Sequence, residues 1–151
     1  MRSRHLARSI ALQTLYSLDI NKRILDVTLP FGESFQGLSK EEEDALETDV
    51  VLYALYLING VLEHLEEIDE FINRFSTRRS IDRISFVDRN ILRISVFSLL
   101  YCKDIDSKII IDEAVKLSQE FSTEVNYRFI NGLLDTAVRH IHDNSENGTA
   151  N

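Results

Sequence analysis

Arg2, Arg4, His5 and Arg8 open the chain with no intervening acid, and Tyr16 closes the same segment, RSRHLARSIALQTLYS. Guanidinium groups attract phosphates, and an aromatic ring offers a face on which an unpaired base can stack, so this grouping suits single-stranded RNA. A second group of the same kind, Phe121, Tyr127, Arg128 and Phe129, lies far along the chain. The plain alternative is a solvated, frayed terminus in the first case and core rings in the second. Composition alone does not decide between the two.

Other chemistry finds little support. The sequence has no glycine-rich phosphate loop, no G-x-S-x-G elbow and no H-E-x-x-H pair. His140 and His142 stand two apart, a spacing that points their rings in different directions on a helix. The acids from Glu41 to Asp44 read as partners of a helix N-terminus rather than as a cation site. Cys102 is the sole cysteine, which excludes an intrachain disulfide and a cysteine-based zinc site; after an apolar helix it is expected to be buried and inert. No catalytic residue, metal or cofactor is expected.

The elements that must position these groups are helices. The chain has 151 residues, 44% of them hydrophobic, with five glycines and one proline, a shortage of turn formers that predicts an all-α fold in one domain. Ala7, Ile10, Ala11, Leu15 and Leu18 recur at helical steps and predict a core-facing stripe from Ser3 to about Ile20. Arg4, Arg8, Leu12 and Tyr16 form a neighbouring line expected to stay partly wet. Asn21 to Ser39 is the main irregular connection. Ser39 and Glu42 form a capping box for a helix expected to run, with a kink near Gly60, to Phe75. Arg78 to Arg83 form a polar link, and Ser85 and Asp88 a second capping box for a helix to about Cys102. Further helices are expected over about Ile109–Phe121 and Thr123–Ile141, followed by a polar tail, residues 143–151, expected to be disordered.

Charge is unevenly distributed around a formal net −8. From Glu33 to Glu70 there are twelve acids against one lysine, whereas Ile72 to Lys103 holds seven Lys or Arg against Asp82 and Asp88. The start and the middle of the chain are basic islands on an acidic body. The apolar positions of the first segment are spaced by polar ones, unlike a signal peptide, and the apolar stretch Val50–Leu62 is too short to span a bilayer. A soluble, cytoplasmic protein that does not engage membrane is expected.

Four motifs together carry a family likeness. Arg4-x-x-x-Arg8 with Ala11-Leu12-Gln13-x-Leu15-Tyr16-Ser17, then Leu92-Arg93-Ile94, Ile111-Asp112-Glu113-Ala114-Val115-x-Leu117, and Phe129-Ile130-Asn131-Gly132-Leu133-Leu134-Asp135 occur in order and cover nearly the whole chain. They resemble the NusB family of bacterial transcription antitermination factors. The resemblance implies an irregular bundle of about six or seven helices in two packed sub-bundles, spanning residues 1–142. It implies recognition rather than catalysis: joint binding, with the ribosomal protein NusE, of boxA-type single-stranded RNA within a transcribing RNA polymerase complex.

Carried over by position, Arg4, His5, Arg8, Tyr16, Phe121, Arg128 and Phe129 are the expected RNA-binding residues, and Phe75, Asp82 and Asp88 the expected contacts to NusE. Asp88 also reads as a capping acid, and Gly132 as a glycine required by close helix packing. Leu6 stands where some relatives carry another arginine, and Val125 where an acid that modulates RNA affinity can sit. Self-association is left open. Two other readings remain: a protein-interaction bundle without RNA affinity, and a stand-alone relative of the domain found ahead of ribosomal RNA cytosine methyltransferases. The second would require a Rossmann-type domain that this sequence does not carry.

Overall fold

The computed structural model describes residues 2–123 and 126–149. Among them are seven α-helices: α1 (Arg2–Ile20), α2 (Lys40–Asp44), α3 (Thr48–Glu63), α4 (Leu65–Phe75), α5 (Phe86–Tyr101), α6 (Ser107–Phe121) and α7 (Asn126–Thr149). A 3₁₀ turn at Ile81–Arg83 lies between α4 and α5. The expected α1 stripe is the buried one: Ala7, Ile10, Ala11 and Leu15 have no exposed surface, and Leu18 is nearly as dry. That face packs on α3 and α5.

Helix α5 is the centre of the fold. Ile91, Leu92, Ile94, Val96, Phe97 and Leu99 are all buried, so it is covered around its circumference, as an interior helix must be. It touches α1 and α3 on one side and α4, α6 and α7 on the other, joining the two groups of helices. Pairing of α6 with α7 completes the second group through Ala114, Leu117, Ile130, Leu134 and Ala137.

The segment expected to be one kinked helix is three. A capping box closes on Ser39, whose hydroxyl accepts from the Glu42 N–H at 3.1 Å while the Glu42 carboxylate accepts from the Ser39 N–H at 3.0 Å. That helix, α2, ends at Asp44, and a further break falls at His64 (φ −111°, ψ 23°), not at Gly60. Gly60 serves packing instead: a Cβ there would lie 2.1 Å from Cζ of Phe97, so the ring rests on bare backbone where α3 crosses α5. Helix α7 also continues beyond the expected end near Ile141, to Thr149; the Asn144 amide meets Nε2 of His140 one turn earlier at 3.0 Å.

The irregular connection between α1 and α2 is tied down. Phe31 and Phe35 are buried, the Phe31 N–H donates to Oδ1 of Asn59 at 2.6 Å, and the Gln36 N–H donates to Oγ1 of Thr14 at 3.1 Å. Gly37 adopts φ +86° and passes so close to Gln13 that a Cβ would meet its side-chain oxygen at 2.0 Å. Glycine is needed there on both counts.

A buried polar network fixes α1 against α4 and α5. The Asp19 carboxylate accepts from Arg89 twice at 2.6 Å, from the Asn90 amide at 2.9 Å and from Arg93 Nη1 at 2.8 Å. Arg93 also makes a bidentate pair with Asp69 at 2.8 and 2.9 Å. Burial pushes the Asp19 carboxyl up, but the hydrogen bonds and charges of Arg89, Arg93 and Asn90 more than reverse this and hold it below the usual carboxylate range. Its contribution to stability is therefore complete above the unfolded value, about 3.9, and is lost as pH falls through the lower folded value. Removing one partner of such a network strands the other charges, so Asp19→Ala should cost about 3–5 kcal/mol in urea unfolding at neutral pH. A loss below ~1 kcal/mol would show that Arg89 and Arg93 reach water or other partners instead.

Candidate nucleic-acid interface

The N-terminal cations of α1 do not project freely into solvent together. Arg4 is exposed, with its guanidinium 3.9 Å from the centre of the Tyr53 ring on α3. Arg8 is only 8% exposed; its guanidinium lies 5.6 Å from the same ring, and its Nη1 is 3.6 Å from Oε2 of Glu113 on α6. His5 bridges two acids of α6, Nδ1 to Glu113 at 2.8 Å and Nε2 to Glu120 at 2.6 Å. With both ring nitrogens on carboxylates, the doubly protonated ring donates twice. Burial pulls the His5 pKa down, and the hydrogen bonds and charges of Glu113 and Glu120 overcome this, leaving it raised above 6.5. The line Arg4–Arg8–Leu12–Tyr16 is consequently drier than expected: Leu12 is 2% exposed, and only the two ends meet solvent.

At the far end of that line, Tyr16 and Phe121 share an open groove of about 420 Å³, with Leu12, Gln13, Gln36 and Val87 in its walls. Phe121, the last residue of α6, is 37% exposed. Tyr16 is steadied by the edge of Phe86, the ring centres 6.5 Å apart at 89°. Two rings from opposite ends of the chain thus meet at one opening, which their separation in sequence could not show.

Asp88 sets the junction between α6 and α7 and requires a correction. It is 1% exposed, so it cannot face a partner protein. Its carboxylate accepts from the Ser122 hydroxyl at 2.6 Å and from the Asn126 amide at 2.7 Å. Its backbone N–H donates to the Ser85 hydroxyl at 3.2 Å, so Ser85 caps α5, but the carboxylate arm of the expected capping box is turned to the junction instead. The polar groups left by the chain reversal after Phe121 satisfy a carboxylate more fully than one cap N–H would.

Immediately beyond, Arg128 and Phe129 point apart. Arg128 is exposed, with Nε 3.3 Å from the Tyr127 hydroxyl, and lines an open cleft of about 560 Å³ with Lys116, Tyr127, Asn131 and Gly132. Gly132 has open space where a Cβ would go, so close helix packing does not demand it, contrary to expectation. Phe129 is half-buried beneath Arg79, whose guanidinium lies 4.7 Å from the ring centre. The cation over position 129 therefore comes from the α4–α5 link, whereas Arg4 and Arg8 attend Tyr53. The basic groups form separate stations, not one groove. Phe75 is half-buried between Phe71 and His140, at ring separations of 4.9 and 5.1 Å, and Asp82 is exposed on the 3₁₀ turn. Val125 lies outside the described residues.

Sequence reasoning missed Tyr53 and Lys116. Tyr53 stands one helical turn from Tyr56, and the rings stack at 6.1 Å, so the spacing of the two tyrosines was the available signal. Lys116 had none, because its cleft exists only once α6 lies beside α7.

Among the described residues the fold is all-helical, with cations and rings exposed at intervals along its surface. The NusB family model matches residues 5–139, and the chain belongs to the NusB family. It is 39% identical over 135 residues to the transcription antitermination protein NusB of Leptospira biflexa, covering 89% of this chain and 91% of that one. Against its counterpart from Myxococcus xanthus it is 39% identical over 137 residues, covering 89% and 94%. Among solved structures, NusB of T. maritima matches with TM-score 0.73 at 29% identity, covering 90% of each chain. A chain from a crystal structure of the antitermination factors NusB and NusE with double-stranded RNA matches with TM-score 0.72 at 28% identity, covering 93% of this chain and 98% of that one.

Two outcomes follow from this geometry. Because the folded pKa of His5 is raised, its stabilising contribution is complete below about 6.5 and fades as pH rises through the folded value. Glu120→Gln should lower the His5 midpoint in an NMR titration, and an unmoved midpoint would mean Glu113 alone sets it. Gly132→Ala, with nothing to collide with, should raise folding stability by up to ~1 kcal/mol; a fall would mean that its surroundings are closed.

Proposed function

We propose that this protein is an antitermination factor that binds boxA-type RNA together with NusE. The mechanism is binding, with no bond made or broken. The single observation that carries the reading is the open groove lined by both Tyr16 and Phe121, because rings that border an open groove are what unpaired bases stack on. The RNA and NusE in the structure that shares this fold at 28% identity support it.

Arg4 and Arg128 are exposed and serve as phosphate contacts. Arg8 and His5, held to Glu113 and Glu120, act first by fixing the start of α1 on α6, and contribute charge to RNA as those carboxylates give way. Phe129 offers a half-buried ring at the start of α7. The partner surface is proposed at Phe75, the last residue of α4, and at Asp82, on the link between α4 and α5. Asp88 contributes to both surfaces indirectly, by holding the turn from which Phe121 and Arg128 project.

With two phosphates held, log affinity for a single-stranded RNA should fall with log salt at a slope of about −1.4. Loss of a stacked ring should cost about 1–3 kcal/mol. In mobility-shift titrations with boxA RNA and NusE, Tyr16→Ala and Phe121→Ala should each weaken RNA capture by that amount while NusE association, measured without RNA, is unchanged. RNA binding indifferent to both rings would refute the groove as its site. NusE binding without any RNA capture would favour a pure protein-interaction bundle.

A further inference from the structure

The link between α4 and α5 carries Arg78, Arg79 and Arg83, with Arg74 one turn before it on α4, and all four are exposed. No carboxylate lies within ion-pair distance of any of them among the described residues. Four other arginines are answered: Arg8 by Glu113, Arg23 by Glu33, and Arg89 and Arg93 by Asp19 and Asp69. Arg4, Arg128 and Arg139 are exposed singly without a carboxylate partner among the described residues, whereas the link gathers three such arginines within six residues of sequence.

The link is also held in shape. The Ser76 hydroxyl donates to the Arg79 carbonyl at 2.5 Å, and the Ile81 N–H donates to Oδ1 of Asn73 at 2.7 Å. Ile81 and Ile84 are buried and pin its second half. The arginines therefore project from an ordered backbone, which reduces the entropy lost when they engage a ligand. Two of them already lie against rings, Arg79 over Phe129 at 4.7 Å and Arg74 near Phe71 at 5.9 Å. Asp82 is the only acid on the link.

From these observations we infer that the α4–α5 link is a second RNA contact, at which Arg78, Arg79 and Arg83 take the phosphates of a strand that continues past the start of α7. The inference rests on the RNA-binding reading and extends it. A polyanion is the occupant because several unanswered guanidiniums on a fixed loop match a row of phosphates. Phe129 links the two stations, since Arg79 stands on one side of the first turn of α7 and Arg128 on another. An acidic protein surface is the competing occupant.

The test uses the full chain and two boxA-containing single-stranded RNAs, of about 10 and about 20 nucleotides. Wild type should bind the longer RNA with a log–log salt slope steeper by about 2, at roughly 0.7 per phosphate. The triple variant Arg78→Ala, Arg79→Ala, Arg83→Ala should lose that difference and bind the short RNA as wild type does. The corresponding triple lysine variant should restore it, with circular dichroism confirming that both fold. Equal slopes on the long RNA for wild type and the alanine variant would overturn the inference, as would selective loss of NusE binding, which would assign the link to a protein surface. Tyr16→Ala on the short RNA provides the separate check, because that ring lines the groove. If it has no effect while the link variant flattens the long-RNA slope, the groove reading fails and the link stands; the converse result removes the link alone.

Discussion

The position of α1 depends on one carboxylate. Asp19 gathers Arg89, Asn90 and Arg93 from a single face of α5, and Arg93 passes the connection on to Asp69 of α4. A buried ion pair is weak evidence of net stability, because desolvation offsets much of the attraction. Its value here is geometric. Apolar packing of α1 on α3 and α5 would tolerate small slides along the groove, whereas a carboxylate with four donors accepts only one register. That register sets where both ends of α1 fall, with Arg4 against Tyr53 at one end and, at the other, Tyr16 at the groove that Phe121 also lines. Any shared groove between the chain ends rests on it.

The same helix fixes the other half of the surface. Asp88 sits one residue before Arg89 and turns the opposite way, into Ser122 and Asn126. The first turns of α5 thus hold α1 with cations and the α6–α7 junction with an anion. The central carboxylates of both networks, Asp19 and Asp88, are buried and fully engaged, so the surface they organise can carry exposed charges without those charges competing for the structural sites. Part of the acidity of the body is thereby taken up within the fold: Asp19, Asp69, Asp88, Glu113 and Glu120 are each bound to particular partners.

Much of the fold was legible because helical periodicity and capping are local. The α1 stripe, the Ser39 box and the cores of α5 and α6 follow from residues within a few turns of one another. What escaped was set by partners distant in sequence. Gly60 looked like a kink because a helical glycine is costly, but its reason is Phe97 on another helix. Asp88 looked like a capping acid available to a partner because Ser122 and Asn126 lie 34 and 38 residues away. Arg128 and Phe129 looked like one pair because they are adjacent, yet adjacent helical residues diverge, and each found a different neighbour.

The middle basic island shows the same limit and what overcomes it. Seven cations between Ile72 and Lys103 are equivalent as a count, but α5 divides them. Arg89 and Arg93, inside the helix, face carboxylates 70 and 74 residues earlier and are consumed by the fold. Arg78, Arg79 and Arg83, outside it, face none among the described residues. Removing water from a guanidinium is costly, so folding draws in only those for which a matched acid is already placed. The remainder are left in solvent, where they can meet a polyanion at little desolvation cost, and their attraction should weaken as salt screens it. Burial thus separates structural arginines from those available for recognition, a division that the composition of the segment could not make.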